Sequence, residues 1–344
     1  MTSSVAIVIL NWNGAKLLRQ FLPSVIQFSR NEFVRIVVAD NGSIDDSLQI
    51  LQAEFSQVEI LDLKQNFGFA LGYNEALKQI DSDYYVILNS DVEVTQGWLN
   101  EPIRLMDTDV TIAAVQPKIL SYNQKSHFEY AGAAGGFIDR FGYPFCRGRI
   151  FNEIEDDHGQ YDNQSDIFWA SGACMFVRAK LFHESGGFDT NFWAHMEEID
   201  LCWRLKNKGY HIVYTPESTV YHLGGGSLPY QSPKKLYLNF RNNLWMLYKN
   251  LPAKQLFYII FFRMVLDGVA ALKLLAEFNL NGIRSVLKAH FHFYRSLPAL
   301  HRKRRQTTKA GHLPSCARRL PLSIVFQFYI RKKKLFSEIS KDLF

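Results

Sequence analysis

Cysteine is scarce in this sequence. Its four copies, Cys146, Cys174, Cys202 and Cys316, lie far apart in 344 residues and form no C-x-x-C pair. A disulfide framework and a structural zinc site are therefore disfavoured, and reduced thiols in a reducing compartment fit better. The dinucleotide signature G-x-G-x-x-G and the P-loop G-x-x-x-x-G-K-[ST] are both absent, which argues against Rossmann cofactor binding and P-loop ATPase chemistry. The N-terminus, MTSSVAIVILNWNG, lacks the basic n-region of a signal peptide and reads as a strand. No repeat of fixed period or low-complexity stretch is present, and no uninterrupted apolar run is long enough to span a bilayer. A cytosolic chain is expected.

What is present is apolar and unevenly charged. With 47% hydrophobic and 14% aromatic residues, the chain can bury a large core and cannot be disordered. The net charge of +6 conceals two unlike parts. Residues 250–344 hold 18 Lys and Arg against 4 Asp and Glu, a balance of +14, whereas residues 1–249 hold 21 against 29, or −8. The sequence divides into an acidic body at 1–250 and a basic, amphipathic helical extension at 251–344.

Within the body, short β-branched runs at 5–10, 35–39, 58–61 and 84–88 alternate with helical periodicity at 17–28, 47–55 and 70–80. Ser43 with Asp46 resembles a capping arrangement for the second helix. This alternation predicts an α/β fold with a mostly parallel sheet flanked by helices. Beyond residue 101 the pattern loosens, with a helix predicted over 196–208, a strand over 212–214 and helices from 236 onward, broken near 297–314.

Ligands of open parallel sheets bind beyond the carboxyl ends of the strands. Three runs end there in polar residues: Asn11, then Asp40-Asn41, then Asn89-Ser90-Asp91. Singly, such residues are ordinary turn formers; three at successive strand ends point to a site. A carboxylate such as Asp91 can hold magnesium or manganese against a diphosphate. Glu197, Glu198 and Asp200 cannot share one helix face, so they have different tasks. Asp200 with Arg204 at i,i+4 suits a helix ion pair, and another of the carboxylates suits a general base. His222 precedes Gly224-Gly225-Gly226, a combination suited to metal or phosphate contact.

Together these pieces resemble a family 2 glycosyltransferase of GT-A fold, in particular the bacterial rhamnosyltransferase-like group. The resemblance rests on VAIVILNWNG (5–14), VVADNGSIDDS (37–47), NFGFALGYNEAL (66–77) and ILNSDVEV (87–94). It continues through WASGACMFVR (169–178), GGFDTNFWAHMEEIDLCWRLKNKGY (186–210), VYHLGGGS (220–227) and LNFRNNLWMLYKNLP (238–252). It implies a nucleotide-diphosphate sugar donor, a divalent cation (Mg or Mn) and single inverting displacement onto a glycan or lipid-linked glycan acceptor. It also implies donor contacts from Asn11, Asp40, Asn66, Gly68, Asn74, Asn89, Arg204 and Gly225. The metal would fall to Asp91 and His222, with Glu93 in reserve. Glu198 matches the catalytic base, with Glu197 and Asp200 as the alternatives. Two departures stand out: Asn89 occupies the first position of the D-x-D motif, and Glu198 stands where Asp is usual. A nucleotidyltransferase, or a non-catalytic membrane-surface protein with a degenerate transferase fold, are the competing readings.

The extension carries its own expectation. In residues 256–278, Arg263, Asp267, Lys273 and Glu277 fall within a helical arc of ~120°, leaving a broad apolar face. A helix lying in the membrane interface, with basic clusters at 301–305 and 331–334 against anionic lipid, is the reading; packing on the body is the alternative. Nucleic acid is disfavoured by the acidic body. The expected location is cytoplasmic, peripheral on the inner face of the cytoplasmic membrane.

Overall fold

Successive residues of a strand face opposite sides of its sheet, and the first strand shows why its run is apolar throughout. In β1 (Val5–Asn11), Ala6 and Val8 pack into one core while Val5, Ile7 and Ile9 pack into another. Both faces are covered, as parallel sheets require. Each Val or Ile so buried contributes ~1.5–3 kcal/mol.

The computed structural model describes residues 3–224, 232–309 and 319–340. After β1 come α1 (Ala15–Phe28), β2 (Val34–Asp40), α2 (Ser47–Glu54), β3 (Glu59–Asp62) and α3 (Gly68–Leu77). Next are β4 (Tyr84–Asn89), β5 (Val92–Val94), α4 (Asn100–Thr108) and β6 (Ile112–Ser121). Four short strands, β7 (Gly136–Ile138), β8 (Pro144–Cys146), β9 (Arg149–Ile150) and β10 (Glu153–Ile154), form a small antiparallel sheet of their own. The chain returns through β11 (Ser165–Ile167), β12 (Cys174–Arg178), α5 (Ala179–Glu184), α6 (Glu197–Asn207) and β13 (His211–His222). It ends in α7 (Pro233–Asn250), α8 (Ala253–Ala276), α9 (Leu280–Lys309), α10 (Ile324–Tyr329) and α11 (Phe336–Ser340).

Among the described residues the main sheet runs β11-β13-β6-β12-β4-β1-β2-β3, with β5 paired to β13. Its N-terminal half is parallel, β12 lies antiparallel between β4 and β6, and β13 runs parallel to β6. Register aligns the polar strand ends: Asn11 stands opposite Asp40, and Leu10 opposite Asn89. This is the GT-A type α/β architecture with C-terminal helices that the sequence led us to expect.

Local details differ. Asp45, not Ser43 with Asp46, steadies the start of α2, accepting from the Ser47 amide and hydroxyl. The last body strand is 12 residues long rather than three, so His222 ends a strand paired with β5 and β6 instead of sitting on a free loop. No break opens at 297, because α9 continues through Pro298 to Lys309. The extension is also stitched to the body: Leu322, Ile324, Phe336 and Ile339 join the larger core.

Candidate active site

At the tip of β1, Asn11 Nδ2 donates to Asp40 Oδ2 (2.9 Å) and Ser43 Oγ (3.2 Å), while Asp40 Oδ1 accepts from the Ser43 amide (2.8 Å). Two adjacent parallel strand ends are thus locked together with the loop that follows β2. Gly14 leaves room for this pair, since a Cβ there would lie 2.2 Å from Asn11 Oδ1. Asn41, one residue on, spans to the next loop. Its Nδ2 donates to Asn66 Oδ1 and the Gly68 carbonyl, and its Oδ1 accepts from the Phe67 amide. Gly68 opens α3 with a φ of +73°, and an added Cβ would meet the Trp193 indole at 2.8 Å. Asn11, Asp40, Asn66 and Gly68 therefore sit on one continuous rim.

The end of β4 faces a second cluster. Asp91 Oδ1 lies 3.1 Å from His222 Nε2, and Asn89 Nδ2 lies 3.4 Å from the same nitrogen. Behind the ring, Glu129 Oε2 stands 3.2 Å from His222 Nδ1, with all three of Asp91, Glu129 and His222 buried. Burial lowers the imidazole's pKa, but Glu129 and Asp91 overcome it and lift it to about 10. Burial likewise raises Asp91, and the hydrogen bond and charge of His222 more than offset that, leaving it below the ordinary carboxylate value. With its proton displaced, His222 Nε2 beside Asp91 Oδ1 would offer a nitrogen and an oxygen that suit a divalent cation. Among the described residues no group of three or more His, Cys, Asp and Glu side chains forms a complete cage. A bound cation would need oxygens from its substrate or from water.

The third cluster opens α6. Glu198 backs onto Gly172, near the Phe69 ring, and the neighbouring Ala173 carbonyl accepts from the Asn89 amide (3.0 Å). These contacts bring the helix start up to the end of β4. The Glu198 residue is half-buried, and its Oε2 is shielded from solvent without a hydrogen-bond partner. Burial pushes its pKa up to about 7. Glu197 is buried, and burial with the adjacent Glu198 charge raises it well above the usual range. The preceding loop is strained, with left-handed φ at Trp193, His195 and Met196. Asn242 of α7 holds it in place by donating to the carbonyls of Phe192 (3.1 Å), Ala194 (2.9 Å) and His195 (2.7 Å). Burial drops the His195 imidazole to about 4, so the ring is neutral at ordinary pH.

Four expected site residues have other partners. Asp200 is fully buried and bonds Arg204 Nε (2.8 Å), Lys249 Nζ (2.9 Å) and Asn250 Nδ2 (2.8 Å), which leaves it no role as a base. Arg204 is engaged by Asp200 and by the Ser185 and Gly187 carbonyls. Both amide atoms of Asn74 are taken by the backbone of Phe188. Glu93 pairs with Lys125 at the surface instead of joining Asp91. Gly225 lies outside the described residues. Conversely, Glu129, Asn242 and Lys249 were not singled out in sequence, because each meets its partner across long chain separations.

A mostly parallel sheet of this order, with polar strand ends, flanking helices and helices appended after it, is a GT-A type fold. The sequence profile of glycosyl transferase family 2 matches residues 4–185, and the chain belongs to that family. It is similar to the N-acetylglucosaminyl-diphospho-decaprenol L-rhamnosyltransferase of Mycobacterium tuberculosis, with 24% identity over 237 residues, 64% of this chain and 76% of the relative. Among solved structures it is similar to S. aureus TarS 1-349 in complex with UDP-GlcNAc (TM-score 0.56, 16% identity, 89% of this chain and 88% of that one). It is also similar to GalNAc-T7 with UDP, GalNAc and Mn2+ (TM-score 0.57, 16% identity, 73% of this chain), of which it spans only 48%. At such identities the structural likeness is one of fold.

Proposed function

We propose that this chain is an inverting glycosyltransferase of surface polysaccharide synthesis. It moves a hexosyl or deoxyhexosyl group from a nucleotide-diphosphate sugar to a hydroxyl of a glycan or lipid-linked glycan acceptor. The observation that carries this reading is Glu198: a carboxylate next to the end of β4, lifted to about 7 by burial, whose Oε2 has no hydrogen-bond partner. A base needs a pKa near working pH and a free lone pair, and Glu198 has both. Glu197, which burial and the adjacent Glu198 charge raise well above the usual carboxylate range, is the alternative.

In the proposed step the acceptor oxygen gives its proton to Glu198 and bonds to the anomeric carbon. The bond from that carbon to the donor phosphate breaks, and the nucleoside diphosphate leaves with the electron pair. Asn11 and Asp40 hold the strand ends on which the nucleotide lies. Asp91 and His222 Nε2 would hold a magnesium or manganese ion, which when bound neutralises the leaving diphosphate. Glu129 fixes the His222 ring from behind, as outer partners of metal-bound histidines do. We divide the chain into a catalytic part, 1–250, and a helical extension, 251–344, and place it in the cytoplasm on the inner face of the cytoplasmic membrane. The rhamnosyl and lipid-linked chemistry in the mycobacterial relative's name supports a deoxyhexose donor and a lipid-linked acceptor.

The test is Glu198→Gln in the full chain. With nucleotide sugars and added Mg2+ or Mn2+, release of nucleoside diphosphate is expected to vanish while donor still raises the thermal midpoint. Undiminished release would place the base elsewhere.

A further inference from the structure

Helix α8 is turned inside out. Arg263 and Asp267, its central charges, are buried against the body. Arg263 Nε donates to Asp267 Oδ1 (2.8 Å) and its guanidinium also reaches Asn243 Oδ1, while His290 of α9 sits 3.1 Å from Asp267 Oδ2. The opposite face carries Phe257, Phe261, Val265, Val269, Leu272 and Leu275, each between 49% and 85% exposed. Their spacing of four, then three, residues makes one continuous stripe along the helix. At the turn into α9, Phe278 is 90% exposed, and α9 adds exposed Leu287, Phe291 and Tyr294. The stripe leads into an apolar groove of about 510 Å3 between Phe262, Val265 and Phe326, with Arg140 and Arg331 among its lining. Soluble monomers rarely leave so long an apolar surface uncovered.

Charge identifies the occupant. Helix α9 has eight Lys and Arg and no Asp or Glu, and its Arg284, Lys288 and Arg295 are exposed beside the apolar residues. On α8, Lys254 and Lys273 are exposed, and the exposed acid Glu277 is 3.8 Å from Lys273. A second copy placed symmetrically on this face would set cations against cations. No helix among the described residues is long and apolar enough to cross a membrane. An apolar stripe with cationic borders on such a helix fits insertion parallel to the plane of anionic headgroups.

We infer that the outward face of α8 and α9 docks the protein onto an anionic phospholipid bilayer. The inference rests on the membrane location proposed above and assigns it to named residues. Docking also bears on the site, because Lys303 of the same α9 reaches Asp189 Oδ1 (2.5 Å), at the entrance to the loop that precedes α6.

The test uses the full chain and cosedimentation with vesicles of mixed phosphatidylglycerol and phosphatidylcholine. Binding is expected, falling about tenfold or more on phosphatidylcholine alone. Phe261→Glu with Leu272→Glu, both at exposed positions, is expected to weaken binding about tenfold or more with the thermal midpoint unchanged. Arg284→Glu with Lys288→Glu is expected to erase the preference for anionic lipid. Equal binding by the apolar variant would overturn the inference, as would self-association that this variant abolishes. Donor-induced thermal shift, read on the same samples, separates the two proposals. A chain that binds donor and ignores vesicles sinks the docking, whereas one that binds vesicles and takes no donor sinks the transferase reading.

Discussion

The acidic body and the basic extension solve opposite problems with the same side chains. In the body, carboxylates gather at strand and helix ends beside the cleft, and apolar residues fill both sides of the sheet. In α8 the ion pair lies inside and the aromatic residues face outward. Hydropathy measured along a helix finds two faces but does not say which one meets the protein. That is settled by the partner: Asn243, Tyr143 and His290 offer hydrogen bonds under α8, so Arg263 and Asp267 turn towards them.

The comparison breaks first at the proposed base. Glu198→Gln is expected to cost roughly 10²–10⁴-fold in turnover, and the wild-type rate should rise with pH through about 7, because only the deprotonated carboxylate accepts a proton. A rate independent of pH between 5 and 8 would separate Glu198 from the chemistry. Next is Lys249, buried between Asp189 (2.6 Å) and Asp200 (2.9 Å). Lys249→Met leaves two buried carboxylates short of a cation and should destabilise the fold by about 3–5 kcal/mol in urea unfolding. Glu129→Gln is expected to weaken Mn2+ binding about 10–100-fold; electron paramagnetic resonance titration without donor reads it directly, and unchanged affinity would free His222 from its outer partner. The smallest effect lies at the start of α7. Ser232 Oγ caps α7 through the Lys235 amide (3.2 Å), and Ser232→Ala should cost ~1 kcal/mol by thermal denaturation.

Much of this was legible in sequence, and the unread part has a common cause. The β-branched runs announced β1, β2 and β4, and their polar ends marked the rim, because strand identity and strand-end chemistry are local. Asp200 with Arg204 was equally readable as an i,i+4 pair. Nothing local in Glu129, however, announces His222, which is distant in sequence and reaches it only through the pairing of β13 with β6. Asn74 and Glu93 show the same limit: a motif gives the residue type, and its hydrogen-bond partners, Phe188 and Lys125, come from remote segments.

Helix α7 grips α6 and the loop before it at two points. Asn242 holds the loop carbonyls and Lys249 holds Asp200, seven residues and about two helical turns further on. The helix therefore works as a gauge, fixing how far the loop before α6 can stand from the first turn of that helix. One residue inserted between 242 and 249 would swing the second grip by ~100°, so that loop and helix could no longer both be held. Substitution on the outer side of α7 is cheap by comparison, and changes in its length are not.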